Sequence, residues 1–433
     1  VTVSPPCSPE KAATLGDLFQ AFGRIGLLSF GGPAAQIALM HQVLVEERKW
    51  LTERQYLAAL NFCMLLPGPE AMQLATYSGW RLHGVVGGLL SGLLFVIPGA
   101  LVILVLAALY AAIGDVPLVQ GLFLGVKAAV LVIVVQALIK ISKRALHGAD
   151  HWIIAGLSLA GIFLLGLPFP VLVIIAGVIG FLRPGPDAPV TPTAPLVRPL
   201  HTLKTILVWL LIWVGPLALL ALLLGPDHIL AGLAWFFSKL AVVTFGGAYA
   251  VLAYMGQEVV DQHGWLQAAQ MVDALGLAET TPGPLILVTE FVGFLSAYQA
   301  SDGGSWGLAI AGAVVTLWAT FAPCFLWIFA GAPYIEWISG QPRLKSALDA
   351  ITAAVVGVIL NLSLWFALHV FFSRVDLIHW GPLQVYQPDM GTANLTAMGL
   401  ALLSGYLLLI RKLPLLAVLA LSAGLALGLE WLV

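Results

Sequence analysis

A pair of glycine and proline breaks set inside apolar sequence occurs twice in this chain, and that duplication restricts the fold more than any other feature. The first copy runs from Ser29-Phe30-Gly31-Gly32-Pro33 to Leu66-Pro67-Gly68-Pro69. Adding 215 to each number gives Thr244-Phe245-Gly246-Gly247-Ala248 to Thr281-Pro282-Gly283-Pro284, with no gap between the two marks. Of the 40 pairs from Phe30/Phe245 to Pro69/Pro284, 16 are identical. Stretches such as Val85 to Ile113 and Leu118 to Ile139 exceed the ~20 residues that a helix needs to cross the hydrocarbon core. With 60% hydrophobic and 9% charged residues and a mean hydropathy of +1.00, the chain reads as an all-α polytopic membrane protein. A transmembrane barrel would alternate polar and apolar residues along short strands, and no segment does. Backbone that leaves a helix at membrane depth is tolerated only where protein buries it or a cavity accepts it. Function is therefore sought first at these breaks.

The repeat continues beyond them. After ten inserted residues around Gln299 to Ser305 the offset becomes 225, so that Pro98 meets Pro323, Ala128-Ala129-Val130 meets Ala353-Ala354-Val355, and Gln136 meets Asn361. The chain divides into a disordered tail (1–14), a first repeat (15–182), a Pro-rich linker (183–204), an unpaired helix (205–225) and a second repeat (226–433). Helical segments are expected near 15–30, 33–45, 55–66, 69–80, 85–112, 118–140, 152–166 and 168–182. Their counterparts are expected near 230–245, 248–261, 267–281, 284–298, 306–332, 347–372, 394–410 and 414–432. The tail holds three prolines and no apolar run, unlike a signal peptide.

Lys and Arg collect in cytoplasmic loops. Loop 46–54 carries Arg48, Lys49 and Arg54, while its partner 261–269 has none. Loop 140–151 carries Lys140, Lys143 and Arg144, against Arg374 alone after Phe372. The bias reverses between 113–117, which has no basic residue, and 333–346, which has Arg343 and Lys345. The two halves are expected to point opposite ways, with the unpaired helix supplying the odd crossing. Such an inverted-topology tandem repeat is a ground plan of secondary transporters, which bind substrate near the midplane. The linker and N-terminus would be cytoplasmic and the C-terminus periplasmic. Members of 12 to 16 residues would reach only ~18–24 Å at ~1.5 Å per residue. They are read as re-entrant, broken helices with tips at the F-G-G and P-G-P motifs; tilted full crossings keep the same parity and stay open.

At each tip a helix begins, and its free N–H groups and dipole suit an anion. Gly31, Gly32, Gly68, Gly246, Gly247 and Gly283 would let an oxyanion approach the backbone. Arg24 and its partner Lys239 are basic residues inside apolar segments, a costly placement that suggests charge partners for a dianion; Lys127 lacks a basic mate, since it aligns with Thr352. Gln36 and Gln73 could donate N–H to the anion. Ser29, Thr244, Thr280 and Thr281 could donate a hydroxyl or cap a helix start. Glu70, Asp273, Glu279 and Glu290 are the acidic residues in apolar context, and so the candidates for proton coupling. His41, His83 and His263 read as interfacial surface residues. The net charge of −2 gives no argument for nucleic acid, and Cys7, Cys63 and Cys324 have no metal-ligand spacing. With neither H-E-x-x-H nor G-x-S-x-G present, no enzyme, metal or cofactor is expected.

Phe30-Gly31-Gly32-Pro33-Ala34-Ala35-Gln36-Ile37-Ala38-Leu39-Met40 and Leu65-Leu66-Pro67-Gly68-Pro69-Glu70-Ala71-Met72-Gln73-Leu74 closely resemble the signature of the chromate ion transporter family. Phe245-Gly246-Gly247-Ala248-Tyr249 and Thr280-Thr281-Pro282-Gly283-Pro284 look like the second-half versions of its long, two-domain members. The resemblance implies a prokaryotic inner-membrane protein exporting chromate, with sulfate as a related anion. Half two lacks Pro33 (Ala248), Gln36 (Val251), Glu70 (Leu285) and Gln73 (Val288), so the halves are unequal. The expected partners are chromate or sulfate and the lipid bilayer; a homodimer, oxyanion uptake and an anion channel stay open. Cysteines introduced at Lys49 and at Gly264 are expected to label from opposite faces of the membrane. Labelling of both from one face would rule out the inverted arrangement.

Overall fold

The computed structural model describes residues 13–430 apart from 115, 184–198, 246–247, 302–303 and 336–340. Most of the expected tail, most of the linker, and Gly246 and Gly247 thus lie outside the described residues. The rest is almost wholly helical, as expected of an all-α polytopic membrane protein. Among the described residues five helices, Glu70–Ile113, Pro117–Ala145, Leu200–Leu224, Trp306–Tyr334 and Pro342–Phe371, are long and apolar enough to cross a membrane.

Half one contains α1 (Leu15–Leu28), α2 (Gly32–His41), α3 (Glu53–Leu65), α4 (Glu70–Ile113), α5 (Pro117–Ala145), α6 (Ala149–Phe163) and α7 (Phe169–Leu182). The unpaired helix is α8 (Pro199–Leu224). Half two contains α9 (Ile229–Val243), α10 (Ala248–Gln257), α11 (Ala268–Thr280), α12 (Val288–Gln299), α13 (Trp306–Gly331), α14 (Pro342–Phe371), α15 (Leu395–Gly405) and α16 (Leu415–Glu430). Local signals recur at the repeat offset. Thr52 with Gln55 and Gln267 with Gln270 form matching capping boxes at the starts of α3 and α11, where they satisfy free N–H groups. A π turn, Gln42–Glu47 or Glu258–Gln262, extends α2 and α10. Each leads to a left-handed residue, Lys49 (φ 53) or Gly264 (φ 61).

α4 contains a sharp break, with non-helical backbone at His83 and Gly84, so that segments 70–82 and 85–113 fold back on one another. A Cβ on Gly79 would strike the Gly87 carbonyl and Ser91. Half two makes the same turn between α12 and α13, where Gly293 meets Thr316 and Gly312. Small residues let backbones approach this closely in a bilayer.

One element was not anticipated. β1 (Val375–Trp380) and β2 (Leu383–Pro388) form an antiparallel hairpin in register Val375↔Pro388 to Trp380↔Leu383. Its turn is Gly381-Pro382, with Gly381 at φ 62. The hairpin raises the repeat offset to 246, which carries α6 onto α15 and α7 onto α16. Gln384 donates its backbone N–H to the Leu164 carbonyl at 2.7 Å, and Tyr386 donates to Asp261 at 3.2 Å.

The halves interlock through these last pairs. α6 and α7 of half one pack on α14 of half two, while α15 and α16 pack on α5 of half one. Gly180 sits against Ser346 and Ala347, Gly357 against Ala155, and Gly125 against Ser422 and Ala423. Interior prolines open further contacts. Pro216 removes the N–H that would bond Ile212, and the Trp318 indole donates to that carbonyl instead at 3.2 Å. Pro98 likewise frees the Leu94 carbonyl, against which Gly26 of α1 packs directly.

Gly99 follows Pro98 and faces the tip of half two; a Cβ there would strike the Pro282 carbonyl oxygen. Gly99→Val is expected to cost roughly 1–3 kcal/mol through overpacking, read as a lower thermal midpoint in detergent. Gly156→Ala, with nothing within 4 Å of the added methyl, should leave the midpoint unchanged. Equal midpoints for both variants would contradict this packing.

Candidate functional site

The tips of the two halves meet one another, and free backbone groups are exchanged between them. Gly68 N–H donates to the Thr244 carbonyl at 2.8 Å, and Gly283 N–H donates to the Ser29 carbonyl at 2.9 Å. Each P-G-P tip is thereby pinned to the F-G-G tip of the other half. The turns need left-handed backbone at Gly31 (φ 86), Gly32 (φ 76), Gly68 (φ 117) and Gly283 (φ 89), which glycine adopts at no steric cost. The P-G-P tip of half two also rests on Gly99 and Leu287, and that of half one on Cys324 and Gln73. Gly99 and Cys324 are themselves repeat partners at offset 225.

The tip hydroxyls close helices rather than open them. Ser29 donates to the Ile25 carbonyl at 2.6 Å and Thr244 to the Leu240 carbonyl at 2.5 Å. Thr280 and Thr281 donate to Leu277 at 2.8 Å and Ala278 at 3.1 Å. These bonds satisfy C-terminal carbonyls of the entering helix, so the expected capping of the departing helix is not what the geometry gives. Gln36 donates to the Gly283 carbonyl at 2.6 Å, across the two halves, and Gln73 to the Pro67 carbonyl at 2.7 Å. Both amides brace tips in this state.

Arg24 and Lys239 are not brought to the tips. Arg24 pairs with Glu47 at 2.8 Å, with its side chain 51% exposed, and the neighbouring Arg48 donates to Gln20 at 3.0 Å. Lys239 lies over the Tyr254 ring, 5.4 Å from its centroid, while Phe236 packs on His263 and Trp265. Each cation engages the returning arm of its own hairpin, because the arm after the tip runs back alongside the helix before it. The acidic candidates separate too. Asp273 pairs with Lys127 at 2.9 Å and accepts from Tyr110 at 2.8 Å. Glu290 is buried and is not among the residues that line the cavity described next. Glu70 and Glu279 face a cavity.

That cavity, about 1390 Å³, leads from one face of the molecule to the tips. Gly31, Gly32, Pro33, Ala34, Gly68 and Glu70 of half one line it together with Tyr249 and Glu279 of half two. Two repeat-related pairs, Ala34/Tyr249 and Met64/Glu279, both line it, so its inner end lies where the halves are equivalent. Tyr249 donates to Glu279 at 2.9 Å. Asn61 and Gln136 line the wall, and Lys140, Arg144, Lys345 and Lys412 come from helix ends and loops at the mouth. Converging cations focus potential into a low-dielectric cleft and concentrate anions there. At the far end, the first turn of α2 presents N–H groups that no helical carbonyl accepts. Sequence reasoning read Lys140, Arg144 and Lys345 only as markers of sidedness, and passed over Lys412 and Tyr249. The signal available was that two basic loops expected on one side, 140–151 and 333–346, could share one opening.

Gln36→Leu leaves the buried Gly283 carbonyl without its partner. It should cost about 1–3 kcal/mol, measured as a fall in the unfolding midpoint of the purified protein. An unchanged midpoint would show that the brace contributes nothing.

The sequence model of a family described as "Chromate transporter" matches residues 16–181 and 231–429. A "Chromate transport protein" of Cupriavidus metallidurans (strain ATCC 43123 / DSM 2839 / NBRC 102507 / CH34) is 32% identical over 356 residues, covering 80% of this chain and 81% of the relative. A protein of the same description from Pseudomonas aeruginosa is 32% identical over 378 residues, covering 82% and 80%. An uncharacterised transporter of Bacillus subtilis (strain 168) is 31% identical over 145 residues, which is 33% of this chain and 82% of the relative. No solved structure matches. With its family model matched across both halves, this multi-pass chain belongs to the chromate transporter family.

Proposed function

We propose that this protein is a secondary transporter that exports chromate, with sulfate as a related divalent oxyanion, across a prokaryotic inner membrane. The single observation carrying the reading is the basic-mouthed cavity that ends at the tips shared by both halves. Export requires an opening on the cytoplasmic side, and Lys140, Arg144 and Lys345 at the mouth belong to loops that charge bias assigns to the cytoplasm. On this reading the molecule is in the inward-open state of an alternating-access cycle. Inverted halves would generate the outward-open state by exchanging conformations, with the anion held between the tips.

Contacts between loops support this sidedness. Segments assigned inside touch one another, as in the Arg183–Asp150 ion pair and the bond between Thr202 and Tyr334 at 2.6 Å. Segments assigned outside do the same where Gln384 meets Leu164 and Tyr386 meets Asp261. An N-terminus inside and a C-terminus outside follow from the same tracing. The bonds that tie the end of α2 to Arg24 and Gln20 favour re-entrant hairpins over full crossings. An inside-negative potential drives a dianion outward with ~2.3 kcal/mol per charge per 100 mV. Glu70 and Glu279 are the carboxyl groups placed to couple a proton to the anion, since a carboxylate and a dianion facing one cavity repel one another.

Transport in reconstituted vesicles with the cytoplasmic face outward tests the reading. Net chromate uptake should follow a lumen-positive potential, and vesicles preloaded with unlabelled chromate should take up labelled chromate by countertransport above its external concentration at zero potential. Replacing Lys345 and Lys412 together by Gln should lower uptake efficiency about tenfold at low ionic strength, through loss of focusing, and less at high salt. A chromate distribution that obeys the imposed potential and saturates with no countertransport would instead identify an anion channel.

A further inference from the structure

The cavity wall beyond the tips has a repeat-related counterpart, and that counterpart is shut. Ala58, Gln136, Lys140 and Thr352 line the cavity; at offsets 215 and 225 their partners are Asp273, Asn361, Trp365 and Lys127. Where Ala58 and Lys140 are exposed, Asp273 is 5% and Trp365 1% exposed. The partner of Asn61, Gly276, is closed over by Val126.

This second wall is polar in a way that packing alone does not explain. Lys127 of α5, its side chain 18% exposed, and the buried Asp273 of α11 form an ion pair between the halves at 2.9 Å, completed by the Tyr110 hydroxyl of α4. Asn361 is fully buried, and neither end of its amide finds a hydrogen-bond partner among the described residues; the Trp365 indole N–H is likewise unsatisfied. Buried polar groups without partners carry a desolvation cost, and an apolar wall would avoid it. The cost is relieved if the wall opens to water and to the anion during the cycle.

We propose that Lys127, Asp273 and Asn361 form the closed second vestibule of the transport path, facing away from the basic mouth. Asp273 stands in for the oxyanion while the path is shut. When the ion pair parts, Lys127 meets the divalent oxyanion and Asn361 donates its amide N–H to it. This proposal rests on the alternating-access reading given above. It also accounts for Lys127 having no basic repeat partner: the inner path carries its cations on Lys140 and Arg144, and the outer path carries one on the opposite side of the same helix pair.

The test uses the full chain with Cys7, Cys63 and Cys324 replaced by Ala, reconstituted in vesicles and probed from each side with a membrane-impermeant maleimide. Gln136→Cys should react from the cytoplasmic side alone and be shielded by chromate. Asn361→Cys should be unreactive at rest. Chromate turnover, or addition of Asp273→Asn, should raise its labelling at least tenfold, from the outer side only. The turnover arm keeps the test decisive if the Asp273 variant fails to fold. The charge swap Lys127→Asp with Asp273→Lys should return labelling to the resting rate while chromate transport stays below a tenth of the parent's. Labelling of Asn361→Cys from the cytoplasmic side, no labelling during turnover, or a swap that restores transport would each overturn the proposal, with the transport reading left standing. Labelling of Gln136→Cys from both sides, together with simple equilibration of chromate, would overturn both.

Discussion

A backbone that breaks inside a membrane must find partners for its N–H and C=O groups, and the structure depends on where these partners come from. Helices can satisfy themselves, but the F-G-G and P-G-P tips cannot. Here each half supplies what the other lacks: Gly68 bonds Thr244, and Gly283 bonds Ser29. Prolines at the tips remove donors that would otherwise be left over, and hydroxyls of Ser29, Thr244, Thr280 and Thr281 close the carbonyls of the entering helices. A net bond of this kind contributes only about 1 kcal/mol, while an unmade one costs about 1–3. The tips therefore hold their shape only in company, which makes their meeting point a place where small displacements of one half against the other are felt.

The same reciprocity runs outward. The last two helices of each half clasp the long helix of the other, α6 and α7 on α14, α15 and α16 on α5. Glycines at 125, 180 and 357 bring those backbones close, the mode of association available where lipid is as apolar as the side chains. Symmetry in the frame contrasts with asymmetry in the chemistry. Gln36 reaches across to half two, but Val251 cannot return the gesture, and Glu70 faces the cavity where Leu285 is its partner. Lys140 and Arg144 line the cavity, whereas Trp365 and His369 stand at the corresponding positions of half two.

Much of the fold was legible because it was written twice. Breaks at Gly31-Gly32 and Pro67-Gly68-Pro69, the turn near residue 84 and the unpaired α8 all follow from periodic apolar runs and their interruption. The β hairpin was missed because Val375 to Pro388 is short, half polar and without a repeat partner. The site was read less well. Arg24 and Lys239 drew notice as cations in apolar segments, yet sequence could not reveal that each side chain engages the returning arm of its own hairpin, at Glu47 and Tyr254. Gln36 and Gln73 were placed correctly beside the tips, but their donors serve carbonyls there. The cavity cations escaped for a geometric reason: Lys140, Lys345 and Lys412 are far apart in sequence and converge only through the interlocking of α5, α14 and α15.

The central claim is that the anion rests at the inner end of the basic-mouthed cavity, where both halves contribute. The most direct measurement is the position of chromium in the chromate-soaked protein, located by its anomalous scattering. The account predicts a peak beside the backbone of Gly32 to Ala34 and the Tyr249 hydroxyl. A peak confined to the mouth near Lys140 and Lys412, or beside Arg24 and Lys239, would contradict it.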